Sequence, residues 1–123
     1  MPEVLIDLEW SFRGSPIEPT VVVSMRDQQS ADFKELATAT VSIRIADLLA
    51  QSNDALGYGQ ALAAMLFAAQ PIQASWDRVV GYTAGAAATM RLRLRFEPGT
   101  EVLQALRWEC LCDPEGVPVI AEG

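Results

Sequence analysis

Met90-Arg91-Leu92-Arg93-Leu94-Arg95-Phe96-Glu97 sets apolar against charged side chains in strict alternation. Successive side chains of a β-strand point to opposite faces, so the stretch predicts a strand with one buried face and one wet face. Pro98-Gly99 breaks it. The same pattern opens the chain. Val4, Ile6, Leu8, Trp10 and Phe12 alternate with Glu3, Asp7, Glu9, Ser11 and Arg13, interrupted only by Leu5. Gly14-Ser15-Pro16 and Pro19 form a connecting loop, and Val21, Val23 and Met25 share one face of a second strand, which predicts a hairpin. Asp27 to Glu35 is polar and reads as a loop or frayed turn. Ala39, Val41, Ile43 and Ile45 then alternate with Thr38, Thr40, Ser42 and Arg44 as a third strand.

Between these strands and the 90–97 strand the period changes. Ala46 to Gln51 predicts one or two helical turns. Asn53 or Asp54 then offers an N-cap for a helix running to about Ala69, with Leu56, Gly59, Ala63, Leu66 and Phe67 on one face. Pro71 suits the first turn of a second helix, where its missing N–H costs nothing. Ile72, Trp76, Val79, Val80, Thr83 and Ala87 carry that helix to roughly Ala88. After the 90–97 strand, Thr100 predicts a cap for a short turn through Leu106. Asp113-Pro114-Glu115-Gly116 has the residues of a type I turn, which would join Trp108–Cys112 to Val117–Ala121 as a C-terminal β-hairpin. The expected class is α+β: antiparallel strands at the N-terminus, two central helices packed on the sheet, a further strand and a C-terminal hairpin.

The chain has 123 residues, enough for a single domain over 1–123, and 50% hydrophobic residues provide a core. Its net charge of -7 argues against nucleic acid or anionic membrane as partner. It contains no histidine, which removes Ser-His and Cys-His catalysis and histidine-ligated metals. No catalytic, cofactor-binding or metal-binding residue is assigned, and no cofactor is expected. Cys110 and Cys112 are too few for a disulfide framework; in a strand they would share a face, where a bridge is strained. They read as reduced and buried, which fits the cytoplasm. No signal peptide opens the chain.

Four features remain as candidates. Arg91, Arg93 and Arg95 line one strand face with Arg107 nearby; they either grip an anion or pair with acids such as Asp7 and Glu9, and the pairing is favoured. Gly57-Tyr58-Gly59 lacks the rest of a phosphate loop and sits inside a helix, which favours helix packing. Glu101, Glu109, Asp113 and Glu115 offer no pair suggestive of acid–base work, and Cys110 and Cys112 have no base to activate them. Ala55 to Trp76 carries no charge for 22 residues. Such a helix is either buried or an interface for another chain or for polypeptide following residue 123, and both readings stay open here; the second also admits a stand-alone protein-interaction module, a possible homodimer built by strand or helix pairing.

Arg91-Leu-Arg-Leu-Arg-Phe followed by Glu101-Val-Leu-Gln-Ala-Leu-Arg-Trp-Glu-Cys-Leu-Cys-Asp-Pro resembles the opening of CHAT domains, the caspase-like modules often found with TPR repeats. Leu103, Leu106, Trp108, Glu109, Leu111, Asp113 and Pro114 match the spaced leucines, the Trp-Glu and the Asp-Pro of that family. Arg107 stands where proline is commoner, and Cys110 where leucine is. Leu56-Gly57-Tyr58-Gly59 through Leu66-Phe67 is similar to the helix that precedes the motif. The resemblance covers about residues 54–122. It implies a protease relative whose His–Cys dyad lies downstream of the Trp-Glu motif, so no position here inherits a catalytic role. The chain then reads as the non-catalytic front portion of a longer bacterial protein, docking to or regulating a peptidase domain of the same polypeptide or another protein. Trp108 is expected in the core and Glu109 on backbone or arginine donors.

Overall fold

The computed structural model describes residues 5–27, 32–85, 89–113 and 121–122. Strands β1 (Leu5–Gly14), β2 (Pro19–Asp27) and β3 (Lys34–Thr40) lead into helices α1 (Ile45–Leu49), α2 (Ala55–Phe67) and α3 (Gln70–Gly85). Strand β4 (Thr89–Phe96), helix α4 (Glu101–Gln104), a 3-10 turn at Trp108–Cys110 and the short β5 (Ala121–Glu122) complete the order. The five strands form one sheet in the order β3-β2-β1-β4-β5. The class is α+β.

Alternation decides the two faces of this sheet. Ile6, Leu8, Trp10 and Phe12 of β1, Val21 and Val23 of β2, and Leu92 and Leu94 of β4 are all buried on one face. β1 and β2 pair antiparallel with Trp10 opposite Val23. β1 and β4 pair parallel, with Leu8 opposite Leu92 and Phe12 opposite Phe96. A parallel partner requires a long crossover, and the helices supply it. They also cover the apolar face. Trp10 meets Phe67 of α2 at 5.6 Å and Trp76 of α3 at 6.1 Å between ring centroids, both edge-on, the arrangement ring quadrupoles favour.

Both long helices start as their sequences dictate. The Asp54 carboxylate accepts from the Gly57 N–H at 3.1 Å and caps α2. Pro71 lies in the first turn of α3. Helix α2 buries Tyr58, Gly59, Leu62, Ala63, Met65, Leu66 and Phe67. Leu56, expected on that face, is 52% exposed, because it precedes the first residue that α2 turns toward the sheet. On α3, Ile72, Trp76 and Val79 are buried as their spacing predicts, while Val80 faces solvent. Ala87 lies outside the described residues.

Three expectations are corrected. The third strand begins at Lys34, inside the stretch read as a loop, and ends at Thr40. A register shift between Val23 and Ser24 of the partner strand breaks the alternation around Leu36, which hid the strand start. Val41 and Ile43 still donate to the carbonyls of Pro19 and Ile17, and Ile45 already opens α1. Thr100 holds the N-cap position of α4 as expected, but its side chain makes no cap bond: the hydroxyl donates to Glu97 O at 2.7 Å, with Phe12 O at 3.2 Å, and so ties the end of β4 to β1. Trp108–Cys110 is a 3-10 turn and not the first arm of a hairpin. Residues 114–120, which hold the proposed turn and most of the second arm, lie outside the described residues, and Ala121–Glu122 pairs parallel with β4.

Trp10→Ala should lower stability by about 4 kcal/mol, because it removes the ring against which Phe67 and Trp76 both pack. Val80→Ala on the exposed side of α3 should change it by less than about 0.5 kcal/mol. Thermal and urea unfolding of the two variants checks the contrast.

Candidate functional site

The two motifs that carry the family resemblance meet in space. Helix α2 presents Gly57-Tyr58-Gly59, and the segment Arg107–Cys112 lies against it. Gly59 is the point of closest approach. A Cβ there would overlap the backbone carbonyl oxygen of Cys110 and come within 3.0 Å of the Cys112 sulfur. Glycine inside a helix costs about 1 kcal/mol relative to alanine. Here it admits a backbone that any side chain would exclude.

Tyr58, the neighbouring residue, fixes the other side of the turn. Its phenolic oxygen accepts the Arg107 backbone N–H at 3.0 Å, and the Arg107 guanidinium stands 5.7 Å from the Tyr58 ring centroid. One Arg107 Nη donates to Ser52 O at 2.9 Å, so this side chain reaches back to the loop ahead of α2. Trp108 is buried, as expected of a core residue. Its indole N–H donates to Leu103 O at 2.7 Å, and its ring sits 5.2 Å from Phe12 and 5.7 Å from Phe96. Glu109 takes an arginine donor, as one arm of the expectation had it: Arg107 Nε stands 3.5 Å from Oε1, with the Glu109 side chain 70% exposed.

The two cysteines do not share a strand face. Cys110 ends the 3-10 turn half-buried, and Cys112 is buried in the extended segment after it; both thiols are unbonded. Burial pushes the Cys112 thiol above its ordinary value, and the nearby Asp113 and Cys110 push it further. Its S–H points to Cys110 O at 3.6 Å. A thiol held protonated beside a carboxylate is the reverse of an activated nucleophile. The candidate carboxylates are dispersed: Glu101 accepts from Gly99 N at 3.0 Å, Glu109 faces solvent, and Glu115 lies outside the described residues. Among the described residues no three His, Cys, Asp or Glu side chains converge as metal ligands would.

The arginine face divides. Asp7, on the wet side of β1, is 7% exposed and lies between two guanidiniums. Arg91 Nε donates to one carboxylate oxygen at 2.8 Å, and Arg26 Nη2 to the other at 2.9 Å. Burial opposes the Asp7 charge, but the hydrogen bonds from Arg91 and Arg26, with the Arg91 and Arg93 charges, outweigh it and hold the carboxyl below its ordinary value. Arg91 therefore pairs with the acid of the neighbouring strand. Arg93 stands opposite Glu9 in the register, but no ion pair joins them, and Glu9 accepts the Ser11 hydroxyl at 3.3 Å instead. Sequence reasoning named the pairing acids but missed Arg26. Its place opposite Asp7 across the hairpin register was the signal available.

A groove of about 240 Å³ lies elsewhere, between the Thr40–Arg44 segment and Ala64, Met65, Ala68 and Ala69 of α2 and the residues after it. The uncharged helix is thus buried on one side only. Leu56, Gln60, Ala64 and Ala68, four residues apart, form an exposed uncharged line that borders this groove at its last two members.

Gly59→Ala should destabilise the fold by about 2–3 kcal/mol, since helix and turn must part. Tyr58→Phe, which strands the Arg107 N–H, should cost about 1 kcal/mol. Asp7→Asn should cost about 2 kcal/mol at neutral pH. Because the folded carboxyl titrates below its ordinary value of 3.8, its contribution is present above that value and lost as the pH falls through the lower native one. Urea titrations from pH 7 to pH 2 should show wild type and Asp7→Asn converging only at the acid end. No family model, curated protein or solved structure matches this chain, so its function is read from the clamp around Gly59 and from the sheet.

Proposed function

We propose that this chain is a non-catalytic N-terminal domain of a bacterial CHAT caspase-like protein, docking to or regulating a peptidase domain downstream. The observation that carries the reading is the contact of Gly59 with Cys110 and of Tyr58 with Arg107. Two motifs separated by some fifty residues resemble the same family, and they form one interlocked unit. That gives each a structural reason to accompany the other. Trp108 serves the unit as core, and the protonated Cys112 performs no chemistry within it.

The sheet supports a docking role. β1, β4 and β5 run parallel, and β5 is the outermost strand on that side. Parallel sheets are ordinarily buried within larger layered structures, so a further strand or helix from a peptidase domain fits beside β5. The setting in this reading is the cytoplasm. Unbonded thiols at Cys110 and Cys112 suit a reducing compartment, and no helix among the described residues is long and apolar enough to cross a membrane.

Reading the source gene past the Gly123 codon tests the first half of the proposal. An in-frame continuation on the order of 150 residues, with a histidine and then a cysteine at strand ends, is the expected result; an immediate stop overturns it. The regulatory half is tested by expressing that continuation alone and adding this chain in trans. Peptidase turnover on a generic peptide substrate should change severalfold, and Gly59→Ala should abolish the effect.

A further inference from the structure

The outer edge of β3 turns backbone groups outward beside the uncharged line of α2. Val41 and Ile43 direct their N–H groups inward to Pro19 and Ile17. Alternation in an antiparallel pair therefore turns the N–H and C=O of Thr38, Thr40 and Ser42 outward, away from β2. All three residues are exposed, and β3 is the outermost strand on this side, with no described strand paired to its outer edge. Arg44, next in the same phase, closes the run by turning its N–H to Met65 Sδ at 3.4 Å. Proteins commonly protect sheet edges with charge, proline or a bulge. Here Lys34, Glu35 and the irregularity at Leu36 protect the start of β3, but Ala37-Thr38-Ala39-Thr40-Val41-Ser42 has no charge, proline or glycine.

We propose that this edge docks a second copy of the chain, pairing antiparallel about a two-fold axis at Thr40 so that the two sheets become one. The residues of this edge favour a copy over an unrelated strand. With the axis at Thr40, Thr40 opposes Thr40, Thr38 opposes Ser42 and Ala39 opposes Val41. These are hydroxyl and β-branched cross-strand pairs that stabilise antiparallel sheets. An axis at Thr40 centres the pairing on the uncharged run 37–42 and leaves Lys34 and Glu35 outside it. The flanking groove takes the same partner. Ala64 of α2 and Ala68 just after it border it across from the edge segment. A two-fold axis normal to the sheet brings the same small side chains of the partner's α2 toward them, where alanine permits close helix approach. Arg44 at the end of the groove is already paired with Asp47 at 2.9 Å, so no lone charge is buried. The proposal stands whether or not a peptidase domain follows.

Sedimentation of the whole 123-residue chain should give a dimer at micromolar concentration. Thr40→Lys and Thr40→Glu, each placing like charges across the axis, should weaken it roughly tenfold, and an equimolar mixture of the two should restore it. A chain carrying Thr38→Lys with Ser42→Glu brings opposite charges together in the same geometry and should dimerise at least as well as wild type. Thr38→Lys with Ser42→Lys should not. Matching thermal melts establish that each variant is folded. A wild-type monomer at about 100 μM overturns the proposal. So does a dimer indifferent to the charge at Thr40, or a mixture that fails to recover, since either outcome places the contact elsewhere.

Discussion

The close approach of α2 to the turn at Trp108–Cys110 is the constraint on which the rest of the structure depends. A carbonyl oxygen occupies the place where nearly every amino acid would carry a Cβ, and Gly59 alone makes room for it. The consequence runs outward in both directions. Toward the C-terminus, the turn is held at a fixed distance from the helix, so the Trp108 ring packs against the stacked pair of Phe12 and Phe96 and closes that end of the core. Toward the N-terminus, α2 is drawn down along its length, which sets Phe67 against Trp10 and lets α3 follow with Trp76.

On the opposite side of the sheet, one carboxylate takes a comparable part. Asp7 lies on the strand where the sheet changes from antiparallel to parallel pairing, and its two oxygens bind arginines from the strands on either side. The junction has no turn to hold it locally, because β1 and β4 are distant in sequence. A buried carboxylate shared by both neighbours joins the two halves of the sheet by chemistry in place of connectivity. Its arginines remain partly in water, which limits the desolvation cost of the pair.

Much of this was legible in the sequence, for identifiable reasons. β1 and β4 announce themselves because each has one dry and one wet face, the condition under which alternation is informative. Asp54 and Pro71 place the starts of both long helices. The start of β3 was concealed by a register irregularity that puts Leu36 out of phase. Trp108–Cys112 reads as a hairpin arm only from the Asp-Pro-Glu-Gly signal that follows it, and its first three residues fold as a turn, held by the indole bond to Leu103 O and the Arg107 N–H bond to the Tyr58 hydroxyl. Parallel pairing of β1 with β4 left no local mark at all. The helix carrying Gly57-Tyr58-Gly59 was read as a packing element, but its partner was not, since nothing in a glycine says which backbone will approach it.

The mixed topology also orders the assembly of the molecule in time. β1, β2 and β3 join through neighbours in sequence, so their pairing closes short loops and can form early. Leu8 must wait for Leu92, and Phe12 for Phe96, across a span that includes every long helix. The intermediate in which the meander exists without β4 exposes the β1 edge and leaves the apolar face without the part that Leu92 and Leu94 add to it. A nascent chain emerging from the ribosome passes through that state until residue 96 is free. The interval in which this domain is most vulnerable to aggregation is therefore set by the rate of synthesis across its helices.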